Sequence, residues 1–285
     1  METMNDDDIL PRPIFIAGLM RSGTSLLRAM LGQHSTIASG LETHWFDIDW
    51  QAGTARHGEP LRDYLHRLGA FFELPADTVD ALAERSDSAE RFLDLFMSRH
   101  ARLQGKSRWA EKTTSNLLHL ERIAAHWPDA RILHIMRDPR DVFASFRRSG
   151  KYGGPADYGA LWVRYLGAAE TFRSAGAAGG RMLDLRYEDL AAEPVETMRQ
   201  VQDFIDAPFE EAATRFEGRD DEFTRVKTLT GHASTTLEQL ARPLRNDRVG
   251  TWRDELSEAE VAAARAVVAE AGLAARFDAL LVGAA

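Results

Sequence analysis

The chain has 285 residues, 44% of them apolar, so it can bury a large core and fits one α/β domain over residues 1–285 better than two complete ones. Its formal net charge of −9 leaves no general basic surface for nucleic acid or an anionic membrane, so an anion site must concentrate cations locally. The absence of cysteine excludes disulfides, thiolate catalysis and thiolate metal sites, and leaves the redox compartment open. The first ten residues, METMNDDDIL, are acidic and lack the basic-then-apolar order of a secretory signal. No later segment approaches the roughly 20 apolar residues that span a bilayer, so a cytoplasmic protein without membrane insertion is expected.

Ile14, Phe15, Ile16 and Ala17 form a short apolar run suited to a buried parallel strand, closed by Gly18. Ser22 and Gly23 then lead into Leu26, Leu27, Ala29, Met30 and Leu31 at helical spacing. Such a strand, small-residue turn and helix present unpaired backbone N–H groups to a phosphate or sulfate oxygen, although an ordinary strand-to-helix connection has the same pattern. Gly18, Gly23 and Ser25 match Walker A spacing, but Thr24 stands where that loop needs lysine, and Arg21 is the nearest cation. An ATPase or GTPase is therefore disfavoured, and an anion-binding loop is not.

Residues 34–39 carry the chain into a second short element ending near Gly40, and Glu42, Thr43, His44 and Trp45 follow at once. Residues 50–105 read as a mostly helical insertion, with Leu61, Tyr64, Leu65 and Leu68, then Phe92, Leu95 and Phe96, at helical period. It either caps the sheet and shapes a substrate pocket or merely covers the sheet as a crossover. Residues 107–111 approach a strand with Lys112 directly after it, and Leu117, Leu118, Leu120 and Ile123 predict a helix. Residues 131–136 form the second strong strand and run into Arg137, Asp138, Pro139, Arg140 and Asp141. Asp141 or a near neighbour is expected to cap the helix through Val142, Phe143 and Phe146, beside a basic cluster of Arg137, Arg140, Arg147, Arg148 and Lys151.

Residues 157–172 are another helix, Met182, Leu183 and Leu185 a further strand, and Pro194 to Phe204 a helix again. Residues 214–250 are polar and irregular, and read as a surface loop or a lid over a ligand. Ser257 followed by Glu260 predicts a capping box for the last helix. Repeated strand–helix units predict a three-layer, P-loop-like α/β sandwich with a mainly parallel central sheet and helical insertions, whose strand order is not readable. Arg21, Lys112, and Arg137 with Ser145 each stand just beyond a predicted strand. Strand ends of a parallel sheet share a face, so these groups should converge on a multiply charged anion.

With these motifs the chain resembles PAPS-dependent sulfotransferases, most closely the branch with protein-tyrosine sulfotransferases and bacterial relatives. Arg21, Ser22, Gly23, Thr24 and Ser25 resemble the family's 5'-phosphosulfate loop, and Arg137 through Ser145 resemble its 3'-phosphate motif. Arg186, Tyr187, Glu188, Asp189 and Leu190 match a third stretch, whose tyrosine lies near the nucleotide. The resemblance implies transfer of a sulfuryl group from 3'-phosphoadenosine 5'-phosphosulfate (PAPS) to a hydroxyl, or less often an amine, with adenosine 3',5'-bisphosphate as product and no required metal. It implies Glu42 as general base with His44 as the rival, His44 occupying the place of an arginine in the tyrosylprotein branch. It implies Lys112 at the bridging oxygen, Arg21 and residues 22–25 on the phosphosulfate, and Arg137 and Ser145 on the 3'-phosphate. The C-terminal basic loop of the family has its nearest match in residues 245–252, where Gly250 and Trp252 align, with Arg245 as first choice and Arg248 as fallback. A small hydroxylated acceptor is expected and a homo-oligomer is left open. A P-loop kinase using Mg-ATP, with Asp138 as metal ligand, peptide-tyrosine sulfation, and a non-catalytic nucleotide-binding relative are the alternatives.

Overall fold

Ile14, Phe15, Ile16 and Ala17 are all completely buried, which requires cover on both faces of the strand they form. The computed structural model describes residues 9–150, 153–215, 221–231, 238 and 247–281. Its sheet has five strands, β1 (Ile14–Ala17), β2 (Ile37–Ser39), β3 (Arg108–Lys112), β4 (Arg131–Met136) and β5 (Met182–Arg186), in the order β2-β3-β1-β4-β5. All neighbouring pairs are parallel, with Ile16 opposite Lys112 on one side and Leu133 on the other.

Because side chains alternate along a strand, β1 feeds two cores. Phe15 and Ala17 join Ile132 and Met136 in one, and Ile14 and Ile16 join Leu133 and Ile135 in the other. The second core is closed by α1 (Thr24–Leu31), α8 (Tyr187–Ala192) and α9 (Pro194–Phe204). The first core takes α2 (Leu61–Phe71), α3 (Ala76–Glu84) and α4 (Ala89–Leu103), which together occupy the stretch between β2 and β3. It also takes α5 (Leu120–His126), α6 (Pro139–Ser149), α7 (Pro155–Ser174), the C-terminal α11 (Glu258–Glu270) and α12 (Ala274–Asp278), giving a three-layer α/β sandwich. The connection after β1 thus leaves to one face, and those after its neighbours β3 and β4 to the other. Such a reversal opens a crevice at the carboxyl ends of the strands.

Local details depart from expectation in three places. Lys112 is the last residue of β3 and not its follower, and the helix expected from Leu117 begins as a tight 3₁₀ turn, Thr114–Leu118, before α5. The cap of α6 falls on the near neighbour Asp138, which accepts the Arg140 N–H with Pro139 in the first turn, and Asp141 lies inside the helix. Residues 214–250, expected to be irregular, contain α10 (Asp221–Thr230), held by the Arg225 side chain on the Phe71 carbonyl at 3.2 Å and on Glu73 at 2.7 Å. Apolar residues are sparse in α10, so its period is faint in the sequence. The capping box of Ser257 and Glu260 is formed.

Candidate active site

The loop after β1 is shaped by two close approaches. A Cβ on Gly18 would lie 2.4 Å from the Ile135 carbonyl oxygen, and one on Gly23, whose φ is +98°, would lie 2.6 Å from the Tyr187 ring. Glycine therefore lets the loop lie against β4 and α8. Arg21 itself adopts a left-handed φ of 72°, an unfavourable backbone for a side chain of this size. Gly23 precedes α1 and offers no side-chain cap to its first turn. Ser22 and Thr24 are buried there, and Ser25 is half-buried.

Cations gather around this loop. Arg21 Nε donates to Ser145 Oγ at 2.8 Å, so residues 124 positions apart meet directly. Arg137 Nη1 donates to the Arg21 carbonyl at 3.1 Å, Nη2 to the Arg248 carbonyl, and the guanidinium lies 4.5 Å from the centre of the Tyr187 ring. Burial, and then the positive charges of Arg148, Arg137 and Arg248, push the Arg21 pKa below its ordinary value. Burial pushes the Tyr187 phenol up, so it stays protonated and able to donate.

The C-terminal segment is fastened to the same helix. Asp141, completely buried, accepts from Gly250 N at 2.7 Å, Trp252 N at 3.0 Å and the Thr251 hydroxyl at 3.3 Å. Arg248 meets Arg137 through its backbone carbonyl, while its Nε lies 3.9 Å from Asp247. Arg245 and Lys151 lie outside the described residues. The basic residues of α6 are themselves paired: Arg140 binds both oxygens of Asp138 and covers Trp252, Arg147 reaches Glu260 at 2.7 Å, and Arg148, whose charge acts on Arg21, pairs with Glu255. Asp138, the metal ligand that a kinase would need, is thus bound by an arginine.

On the other side of β1, Lys112 is 4% exposed and its ammonium contacts Glu42 Oε1, while His44 Nε2 lies 3.3 Å from Glu42 Oε2. Lys112 therefore pairs with Glu42 and not with the adjacent Glu111, which is buried and faces Thr43, Thr113 and Asn116. Burial pushes the Glu42 carboxyl up, but the charges of Lys112 and His44 and the Lys112 hydrogen bond outweigh it and hold the pKa below the usual value. Burial keeps the His44 pKa below that of a free imidazole despite Glu42 and Asp47, so at neutral pH the ring is uncharged.

The structure brings the expected residues to the carboxyl ends of β3, β1 and β4: Lys112 with Glu42 and His44 beside β1, and Arg21, Arg137, Ser145 and Tyr187 around its loop. Sequence reasoning left Arg148 unassigned in its basic cluster and missed the anchoring roles of Glu111 and Asp141. An acid beside a motif cation was the only available signal. Among the described residues no group of His, Asp or Glu could hold a metal ion, and no helix is long and apolar enough to cross a membrane.

The profile of the Sulfotransferase family matches residues 13–211. The chain is 25% identical over 246 residues to protein-tyrosine sulfotransferase 1 of Danio rerio, covering 84% of this chain and 65% of that one. It is 24% identical over 255 residues to the protein-tyrosine sulfotransferase of Drosophila melanogaster, covering 84% of this chain and 46% of the other, so it spans only part of the length of these relatives. Among solved structures, the sulfotransferase domain of the Synechococcus PCC 7002 olefin synthase superposes with a TM-score of 0.62 at 22% identity, covering 95% of this chain and 98% of that domain. The sulfotransferase domain of the curacin biosynthetic pathway superposes with a TM-score of 0.61 at 19% identity, covering 93% and 98%. With a profile match over well more than half its length, on a fold shared with those domains, the chain belongs to the sulfotransferase family.

Proposed function

We propose that the chain transfers a sulfuryl group from PAPS to the hydroxyl of a small-molecule acceptor, with Glu42 as general base. The observation that carries this reading is the pairing of two unlike centres on either side of β1. One is a guanidinium cluster of Arg21, Arg137, Arg148 and Arg248, and the other is a buried lysine touching a carboxylate.

The residues fit such a donor. The glycine-shaped loop leads into an α1 N-terminus without a side-chain cap, and Arg137 Nε is buried with no hydrogen-bond partner among the described residues, so both can serve anionic oxygens. The donor supplies an already activated sulfuryl group and a phosphate leaving group. Arg21 and the amides of residues 22–25 hold the phosphosulfate, and Arg137 and Ser145 read the 3'-phosphate. Tyr187 lies against both the loop and Arg137, where it borders the nucleotide. Arg248, and Arg245 from outside the described residues, add charge from the C-terminal side.

Lys112 stabilises the negative charge that grows on the leaving oxygen. Its present partner is the base, so turning toward the donor releases Glu42 from a contact that lowers its basicity. Glu42 then takes the acceptor proton. His44, neutral and beside the same carboxylate, can receive that proton and pass it to solvent. The Tyr64 hydroxyl, from α2, donates to the Thr43 carbonyl at 2.5 Å, which supports the reading that α2 to α4 form a cap over the acceptor side.

Incubation with PAPS and a panel of hydroxylated small molecules should form adenosine 3',5'-bisphosphate and a sulfated product, read by mass. Thermal stabilisation by Mg-ATP with no response to adenosine 3',5'-bisphosphate would overturn the reading in favour of a kinase. Binding of the bisphosphate without turnover across the panel would favour a non-catalytic relative. The names of the Danio and Drosophila relatives favour a second reading, a peptide tyrosine as acceptor, so a tyrosine peptide belongs in the panel.

A further inference from the structure

Glu111 precedes Lys112 on β3, is 1% exposed, and has no cation as its hydrogen-bond partner among the described residues. Burying a carboxylate is costly unless its lone pairs are filled. Here Oε1 accepts from Thr113 Oγ1 at 2.6 Å, Thr43 Oγ1 at 2.8 Å and Thr43 N at 3.3 Å, and Oε2 accepts from Asn116 Nδ2 at 2.6 Å.

Every donor is tied to the loop that carries Glu42 and His44. Thr43 lies between those two residues. Thr113 Oγ1 also accepts from His44 N at 3.3 Å, and Asn116 Oδ1 accepts from the buried Trp45 Nε1 at 3.2 Å. The same asparagine donates to the Ile16 carbonyl at 3.2 Å, which ties the arrangement to β1. His44 adopts a left-handed φ of 45°, an unfavourable conformation that must be imposed from outside. Burial pushes the Glu111 carboxyl pKa above its ordinary value, against the hydrogen bonds from Thr113, Asn116 and Thr43, and those bonds suit its ionised form, which only accepts. A glutamine would present one carbonyl and an NH₂ donor to groups that are themselves donors.

We infer that Glu111 is a positioning residue for proton transfer: through Thr43, Thr113 and Asn116 it sets the loop that holds Glu42 against Lys112 and His44, without touching substrate. This rests on the role proposed above for Glu42 and Lys112.

The test compares wild type, Glu111→Gln and Thr43→Val, the second keeping the Thr113 and Asn116 bonds should the first fail to fold. Donor affinity is measured by calorimetry with adenosine 3',5'-bisphosphate, turnover with PAPS, and the His44 titration by NMR of histidine-labelled protein, assigned with His44→Asn. His44 faces Glu42, Asp47, Arg56 and Lys112, so its titration reports the loop geometry. Glu111→Gln is expected to lower kcat by about a hundredfold, as a misplacement of about 1 Å can, with donor affinity within about twofold. It is expected to move His44 up toward about 6.5, the value of an exposed imidazole. Thr43→Val shifts both in the same direction by less. A folded Glu111→Gln with lower melting temperature but unchanged kcat and an unchanged His44 titration would reduce Glu111 to a purely structural residue. If wild type sulfates no acceptor, the functional reading falls while the His44 titration still decides the positioning claim.

Discussion

The two sides of β1 handle positive charge in different ways. Around the loop, Arg21 and Arg137 hydrogen-bond to neutral acceptors, a serine hydroxyl and backbone carbonyls, and the nearest carboxylate to Arg137, Asp141, stands 4.0 Å away and accepts from the backbone of residues 250 and 252. Across the strand, the Lys112 ammonium rests on the Glu42 carboxylate. The first arrangement is set before a ligand arrives, so it can supply affinity without rearranging. The second is satisfied in itself and must open to act, so it suits the chemical step. Substitutions should therefore separate binding from turnover.

The largest effect is expected from Glu42→Gln, which should lower turnover by about 10²- to 10⁴-fold, the usual contribution of a general base, and leave bisphosphate affinity nearly intact. A product-release assay paired with calorimetry reads both, and nearly normal turnover would move the base role to His44. Arg137→Ala should do the reverse, weakening the bisphosphate about ten- to a hundredfold, since a hydrogen bond to a charged group is worth about 1.5 to 3 kcal/mol. Unchanged affinity in calorimetry would remove it from the donor side.

Gly23→Ala should weaken donor binding and cost about 1 kcal/mol or more of stability, because the φ of +98° is strained for alanine and the new methyl meets the Tyr187 ring. Chemical denaturation with calorimetry measures both. The acceptor side should also carry a pH signature. The Glu42 pKa is depressed in the folded chain, so its stabilising contribution is fully present above the ordinary carboxyl value and lost as the pH falls through the folded value. The stability difference between wild type and Glu42→Gln, followed by urea titration, should accordingly shrink on acidification. Ser257→Ala, which touches neither centre directly, should cost about 1 kcal/mol through its cap and change affinity and turnover least of all.

What could be read from the sequence follows from where each signal resides. β1 and β4 are legible because burial on both faces makes them continuous apolar runs, and the loop motif is legible because its glycines are local requirements. β3 is harder, since Glu111 and Lys112 are buried polar residues whose partners, Thr43 and Glu42, lie far away in the chain. Arg21 and Ser145 were identifiable one by one, but their 2.8 Å contact depends on a strand order that no local pattern encodes. Asp138 and Asp141 both flank Pro139 closely enough to be caps. Only coordinates show that the second instead receives the backbone of residues 250 and 252.

The double reach of Arg137, to the carbonyls of Arg21 and Arg248, sets a limit on sequence drift at this position. A planar fork can bridge two backbone oxygens and still present an edge to a phosphate. The tetrahedral ammonium of a lysine, on a shorter reach, would have to choose. Retaining the charge would thus not preserve the site, and an exchange usually counted as mild should behave here much like a deletion.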